Sequence, residues 1–432
     1  MQQTSRPERA GGRAWFIWSL SALAFGYAFF QRVAPSVMVP DLMAEFSIGA
    51  AITGYLSALY FYPYVALQFP LGALLDRFGV RRLLTTAMAL AAVGSLLFAM
   101  AQSIEQAYVG RVLVGIGSAV GFLSALTLAA KWFPPSKFAF LAGLIMLFGT
   151  ISGVAGQAPL AGLIAEIGWR NAMLGAACFA ALLCLAIGIF VRDSPDDQPS
   201  PVSEKEQNWL QFVNTLKSAL AQKEVWLISI TAMAMTGPML AFGGLWGVPY
   251  VMAEYQLPRP VAAFHVSMML FGWAAGAPAS GWLSDRIKRR KSPIVAAAIM
   301  QACLVGAVVL IPGIPISVLT LILFAIGFAG GGMVVSFALA REVTDPAIHG
   351  SVSGMVNALT VASGAILQPV IGLLLDWQWD GTLIEGARAY TPGQFRGAFG
   401  SLLAWTAAGV LLAVRLRETH CTAQLKVQVP QS

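Results

Sequence analysis

Charge is what this sequence has least of. Of its 432 residues only 11% are Asp, Glu, Lys or Arg, while 57% are apolar. A soluble domain carries about twice that charged share, so this chain cannot wet a globular surface, and lipid is the natural solvent for most of it. The four cysteines, Cys178, Cys184, Cys303 and Cys421, show no CxxC spacing and mostly sit in apolar runs. They read as small packing residues, with neither a disulfide framework nor a metal site indicated. Three histidines are too few and too scattered for a metal cluster. No HExxH, GxSxG or membrane acid pair is present, so neither an enzyme nor a cofactor is expected. Also missing is any Asp or Glu deep inside an apolar run: Asp41, Glu45, Glu105, Glu166 and Glu342 all lie near ends.

What the chain does have is long apolar runs. Twelve of them lie near 14–38, 51–74, 83–101, 107–130, 139–163, 171–191, 225–251, 262–283, 293–311, 316–339, 351–375 and 395–415. Each supplies roughly 19 residues or more, about enough to cross a hydrocarbon core as a helix. Unbroken apolar runs do not read as barrel strands. The expected fold is therefore all-α and integral to the membrane, with twelve transmembrane helices. The opening MQQTSRPERAGGRAW is a short basic tail before a run long enough to span, so it reads as a retained first helix and not as a cleaved signal.

An even helix number puts both termini on one side, and the basic residues say which. Arg6, Arg9 and Arg13 precede the first helix; Arg77, Arg81 and Arg82, then Lys131 and Lys137, mark alternate loops. Arg192, Lys205, Lys217 and Lys223 follow mid-chain, then Arg286, Lys288, Arg289, Arg290 and Lys291. The opposite loops hold little beyond Arg259 and Arg388, with Arg170 and Arg396 at helix starts. By the positive-inside rule both termini are cytoplasmic, and the membrane is the cell's inner membrane. The net charge of +7 is thus a topology signal and implies no nucleic-acid partner. The chain divides into a tail (1–13), a six-helix bundle (14–191), a polar linker (192–222) containing DSPDDQPSPVSEKEQ, a second six-helix bundle (223–416) and a C-terminal tail (417–432).

The two bundles repeat each other. Gly72-Ala-Leu-Leu-Asp76-Arg77-Phe-Gly79-Val-Arg81-Arg82 follows the second run; Gly281-Trp-Leu-Ser-Asp285-Arg286-Ile-Lys288-Arg-Arg290-Lys291 follows the eighth. Ser152, Gly153, Gln157, Pro159 and Gly162 are echoed by Ser363, Gly364, Gln368, Pro369 and Gly372. Such halves build transporters around a midplane site. The first loop resembles the Gly-x-x-x-Asp-Arg-x-Gly-x-Arg-Arg signature of the major facilitator superfamily, and the resemblance extends over essentially the whole chain. It implies a secondary transporter working by alternating access, a monomer, with a proton or counter-ion as coupling partner. It also implies that the loop cluster closes the cytoplasmic side, with Asp76 accepting from a facing helix N-terminus and from Arg77 or Arg81. Gly72 is expected to let helices approach closely. Arg111-Val-Leu-Val-Gly115-Ile-Gly117 resembles the family's helix-4 signature, and Gly149, Gly153, Gly156 and Pro159 its glycine-proline helix, which implies packing and gating.

Arg32 is the most informative residue outside the loops. A lipid-facing arginine costs at least a few kcal/mol, so Arg32 should face a cavity or a partner, and its guanidinium suits a carboxylate or phosphate. Snorkelling to the interface, or pairing with Asp41 or Glu45, is the competing reading. The segment Gly26 to Pro40 resembles helix 1 of the anion:cation symporters and the organophosphate antiporters, in which a tyrosine precedes an anion-binding arginine. Gln31 stands where the symporters usually have an acid. Trp132 to Ser136 and Gly156 to Leu160 more loosely resemble the proteobacterial intraphagosomal amino acid transporters. These likenesses imply a small carboxylate-bearing solute. Tyr27, Gln31, Gln157, Trp246, Tyr250, Asn357 and Gln368 are further cavity candidates, with an interfacial aromatic belt as the alternative for Trp246 and Tyr250. His265 is a candidate coupling group; a hydrogen-bonded interface histidine is the ordinary alternative. A multidrug or cation exporter and a non-transporting receptor are the competing functions on this fold.

Overall fold

The computed structural model describes residues 11–195 and 209–422. Arg6, Arg9, Lys205 and most of both expected tails lie outside the described residues, as does 196–208 of the linker. Within the rest of that linker, Trp209–Leu220 is helical.

The first half contains α1 (Gly12–Val33), α2 (Val39–Phe46), α3 (Ala50–Ala58), α4 (Phe61–Gln68), α5 (Leu71–Phe78), α6 (Val80–Met100), α7 (Ile104–Ser118), α8 (Gly121–Trp132), α9 (Phe138–Ala155) and α10 (Ala158–Phe190). The second contains α11 (Trp209–Leu220), α12 (Lys223–Pro238), α13 (Gly247–Tyr255), α14 (Arg259–Ile287), α15 (Lys291–Leu310), α16 (Ile316–Gly331), α17 (Val335–Glu342), α18 (His349–Trp377) and α19 (Pro392–Ala413). A short hairpin, β1 (Leu383–Ile384) with β2 (Ala387–Arg388), precedes α19. Between α12 and α13 the residues Met239–Trp246 form a π-helical stretch.

Among the described residues, ten helical stretches are long and apolar enough to cross a membrane. The pair α2 and Ala50–Gln68, bent by 113°, supplies an eleventh if counted as one span. The sequence led us to expect twelve. Two of the expected runs, 139–163 and 171–191, belong to one helical stretch, Pro135–Phe190. The cause is Gly168, whose φ of 79° breaks the helix without inserting a loop; glycine takes that conformation without a Cβ clash. The expected second run is itself segmented into α3, α4 and α5, the last break falling at Pro70, which has no N–H to give.

The apolar cores show how the halves meet. One cluster around Trp18, Leu84 and Leu128 belongs to the first half alone, and another around Ile228, Leu339 and Val356 is built from second-half buried residues. A third cluster draws on both halves, joining Val37, Leu42 and Leu160 to Trp246, Val266 and Phe399. The halves are thus separate at one end and fused at the other. The separate end carries the basic loops: Arg13 lies 5.9 Å from the Trp132 ring, beside Lys131, and Glu418 accepts from the backbone of Arg290 and Lys291. Both described chain ends therefore sit there. We call it the basic end, and its opposite the far end.

Candidate functional site

Between the halves, and open at the basic end, lies a cavity of about 2820 Å³. Among the described residues its mouth is lined by Arg77, Arg81, Arg82, Lys131, Arg192 and Arg341, with two acids, Asp76 and Asp193. At its deep end is Arg32, twenty residues into α1, or about 30 Å along a helix axis.

Arg32 is only 7% exposed. Its guanidinium carbon sits 4.8 Å from the Phe29 ring centre, 5.2 Å from Tyr64 and 6.0 Å from Tyr60, close enough for cation–π attraction. Its Nε has no hydrogen-bond partner, and among the described residues no carboxylate pairs with it. The two acids weighed as its partners are taken elsewhere. Asp41 holds Arg259 at 2.6 and 3.1 Å, and Glu45 holds Arg170 at 3.0 Å. A buried cation with no counter-charge is costly unless a ligand supplies one.

Of the other candidates, only Asn357 lines the cavity with Arg32, and its Nδ2 donates to Gln68 Oε1 at 2.8 Å across the two halves. Tyr27 and Gln31 are packed inside the first half: the Tyr27 hydroxyl lies 2.6 Å from Ser95 Oγ, and Gln31 Nε2 donates to Tyr27 at 2.7 Å. Arg111 is 2% exposed and donates to the Gln31 carbonyl at 3.1 Å. Gln157 and Gln368 grip the π-helical stretch from opposite sides, donating to the carbonyls of Gly243 (2.7 Å) and Leu240 (2.8 Å). Trp246 is wholly buried and donates to the Gln368 carbonyl, while Tyr250 packs on Phe242, Phe395 and Phe399. Neither stands in an exposed aromatic belt. His265 Nδ1 lies 2.7 Å from Thr320 Oγ1, away from the cavity lining.

The far end is closed by contacts between the halves. The Asp41–Arg259 pair is one. A second was not read from the sequence: Asp376, at the end of α18, accepts from the backbone N–H groups of Ala50 (3.0 Å) and Ala51 (2.9 Å) at the start of α3. Tyr390 and Arg388 also donate to Asp376, at 2.6 and 3.1 Å. A carboxylate on a helix N-terminus is favourable both as a cap and against the helix dipole.

The Major Facilitator Superfamily profile matches residues 20–369 and 241–424. The chain belongs to the major facilitator superfamily. It is 26% identical over 398 residues to the uncharacterized transporter YybO of Bacillus subtilis, covering 86% of this chain and 89% of that protein. It is 22% identical to the probable sulfoacetate transporter SauU of Cupriavidus necator, over 83% of this chain and 87% of the relative. The membrane sensor protein UhpC of Escherichia coli is 25% identical, over 86% and 89%. In fold the chain resembles a crystal structure of a bacterial homolog of the human lysosomal transporter Spinster. The TM-score is 0.74 at 17% identity, covering 96% of this chain and 98% of that one.

As a major facilitator protein with an open basic end, the chain shows its loop signature disengaged. Among the described residues Asp76 has no hydrogen bond or ion pair; burial holds its carboxyl above its ordinary value, which Lys131 only partly offsets. Nothing lies within 4 Å of a Cβ added at Gly72 or Gly281, so neither makes the close helix approach expected of Gly72, the two halves being apart at this end. Gly79 links α5 to α6 at φ 78°, with Asp193 in the space a Cβ would need. Arg77 covers Phe78, Arg82 lines the mouth, and Arg81 donates to the Gly188 carbonyl. In the second copy Asp285 pairs with Arg290 at 2.6 Å, and Arg286 lies over Trp282. Gly153 faces the Phe29 ring, and Pro159 occupies the first turn of α10.

Two acids missed in the sequence complete these loops. Asp193 accepts from the Arg81 backbone N–H at 2.9 Å, and Glu418 from that of Arg290 at 2.7 Å. The loop repeat aligns Arg81 with Arg290, so the caps are equivalent. The available signal was Arg192-Asp193-Ser194 echoed by Arg417-Glu418-Thr419, at the ends of the two halves.

Proposed function

We propose that this protein is a secondary active transporter for a small, carboxylate-bearing organic solute such as an organic acid or amino acid. It works as a monomer in the cell's inner membrane, by alternating access, with a proton or counter-ion as coupling partner. In this reading Gly168 divides Pro135–Phe190 into two crossings. With the bent pair counted as one span, the total is twelve in two six-helix bundles (14–191 and 223–416) and both termini are cytoplasmic. The basic end is then the cytoplasmic side, and the structure is inward-open.

One observation carries the solute class: Arg32, buried at the deep end of the cavity, has no carboxylate partner among the described residues. The excess of arginine and lysine at the mouth supports it by drawing anions inward. The similarity to a probable sulfoacetate transporter points the same way. A cation exporter would call for acid where Arg32 stands.

The test is thermal unfolding of the purified chain and of Arg32→Ala against organic acids, amino acids and phosphate esters. A ligand that binds the folded state raises its midpoint. Carboxylates should stabilise the wild type and not the variant. Equal stabilisation of both, or stabilisation by lipophilic cations alone, would sink the anion reading. A likeness to a membrane sensor favours one competing function, a receptor. Uptake of a stabilising acid into vesicles excludes it, and binding without uptake would establish it.

A further inference from the structure

The cavity wall that the second half contributes near Arg32 is largely apolar, and most of its few polar groups are already engaged. Tyr64, beside Arg32, shares one buried cluster with Leu240 and Val361 of the second half. Met239, Leu240, Val361 and Trp273 form that wall, with Thr236, Thr360 and Asn357 among them. Thr236 Oγ1 donates to the Ala232 carbonyl at 2.7 Å, within its own helix. Thr360 Oγ1 donates to the Asn357 carbonyl at 2.7 Å. The Asn357 amide donates to Gln68, whose own amide donates to the Ala119 carbonyl at 3.3 Å. Among the described residues no Asp, Glu, Lys, Arg or His stands on this inner wall. The first half adds Phe25, Phe29 and Phe122 around the same space.

A solute seated here meets one cation at one pole and, at the other, hydrocarbon, thioether and indole. Resting on the anion reading above, we infer that the solute carries a single anionic group on an apolar, branched or aromatic body, and is neither a polyhydroxylated acid nor a dianion. The physical reason is what happens when the halves close. A run of hydroxyls carried against this wall loses water and finds few partners there, chiefly the Trp273 indole N–H and the second amide N–H of Asn357, so most of their desolvation is uncompensated. A second carboxylate would be buried with no second cation beside it. Methylene and ring carbons gain instead, because they leave water for a lining of their own kind. Sulfur-bearing Met239 and the aromatic rings also tolerate bodies of differing shape.

The experiment compares acids of similar size. Purified full-length protein is titrated with 4-methylpentanoate and 3-phenylpropanoate, and with gluconate and glucuronate, at one ionic strength, following thermal unfolding by intrinsic fluorescence. Arg32→Ala and Met239→Gln are carried in parallel. The expected result is half-maximal stabilisation by the apolar-bodied acids at about tenfold lower concentration than the hydroxylated ones. The effect should vanish in R32A, and the gap should narrow in M239Q, which places an amide on the wall. If gluconate or glucuronate stabilises as well or better, and still needs Arg32, the apolar-body inference is overturned while the anion reading stands. If no acid of either set stabilises the wild type, or R32A responds equally, the anion reading falls and takes this inference with it. An unchanged gap in M239Q, with its own unfolding still cooperative, would also overturn the role given to the wall.

Discussion

Tyr60 is shared by two guanidinium groups. Arg111 lies 5.2 Å from its ring centre and Arg32 6.0 Å, and its hydroxyl donates to the Ala28 carbonyl at 2.9 Å. Cation–π contacts contribute about 0.5–2 kcal/mol each, more when desolvated, so the ring holds both cations where no acid does. Tyr60→Phe should keep nearly all of this, losing only one hydrogen bond, about 1 kcal/mol. Tyr60→Leu should destabilise by several kcal/mol, since it removes ring volume and both cation–π contacts. Unfolding midpoints of the two variants, side by side, check the difference; equal losses would assign the effect to the hydroxyl. Arg32 was legible in the sequence because an arginine in a lipid-length run is too expensive to be incidental. Tyr60 was not, because an aromatic residue in such a run looks the same whether it faces lipid, a core or a cation. For the same reason Tyr27, Gln31 and Gln157 passed as cavity candidates: polarity placed them inside the protein, but not on which surface within it.

At the scale of elements, the helices α3 and α18 cross between the halves on small residues. A Cβ added at Gly54 would lie 2.5 Å from the Gln368 carbonyl oxygen, and one at Gly372 would meet the backbone of Ala50. Backbone cannot move aside as a side chain can, so Gly54→Ala should push the far end apart. Asp376→Asn should act in the same direction, since it removes the charge that caps α3 and pairs with Arg388, at a cost of roughly 1–2 kcal/mol. That shifts a two-state balance about five- to thirtyfold. The reporter is a cysteine at Ser36, a buried position in the turn before α2, in a background lacking the native cysteines. Faster maleimide labelling in G54A and D376N is the expected outcome; unchanged labelling would mean that neither group holds the far end shut.

Glu418 supplies the pH-dependent counterpart at the basic end. Burial alone would raise its carboxyl, but the backbone N–H groups of Arg290, His420, Lys291 and Thr419 overcome that and hold it below the usual glutamate value. A depressed carboxyl stabilises docking fully above the undocked pKa, near 4.3, and the contribution is lost as pH falls through the docked value. Residues 415–422 should therefore resist hydrogen exchange at pH 7 and lose protection only as pH falls well below the undocked value, to about pH 3 or lower. Equal protection at both would remove Glu418 from the account. Helix existence was readable from apolar length alone. The caps from Asp193, Asp376 and Glu418 were not, because an acid in a loop carries no mark of which distant N-terminus it will reach.

At the scale of the molecule, the sequence repeats between its halves, and that sets the limit of what could be read. Signature loops and glycine-rich helices recur in the two halves of the sequence, yet nothing in them says at which end the halves are joined. That follows from tertiary packing, in which one core spans both halves at the far end while the basic end keeps two.

The far-end latch has a consequence for speed. Asp41, Arg259, Asp376 and Arg388 are all partly exposed, so each recovers hydration when the seam parts. Exposed ion pairs of this kind contribute about 1 kcal/mol or less and weaken with salt. Under the proposed alternating access, most of the barrier then resides in prising Leu42, Trp246 and Val266 out of a common core. A transport rate limited in that way should climb steeply with temperature and change little between about 50 and 500 mM salt. A latch of ions would behave in the opposite sense.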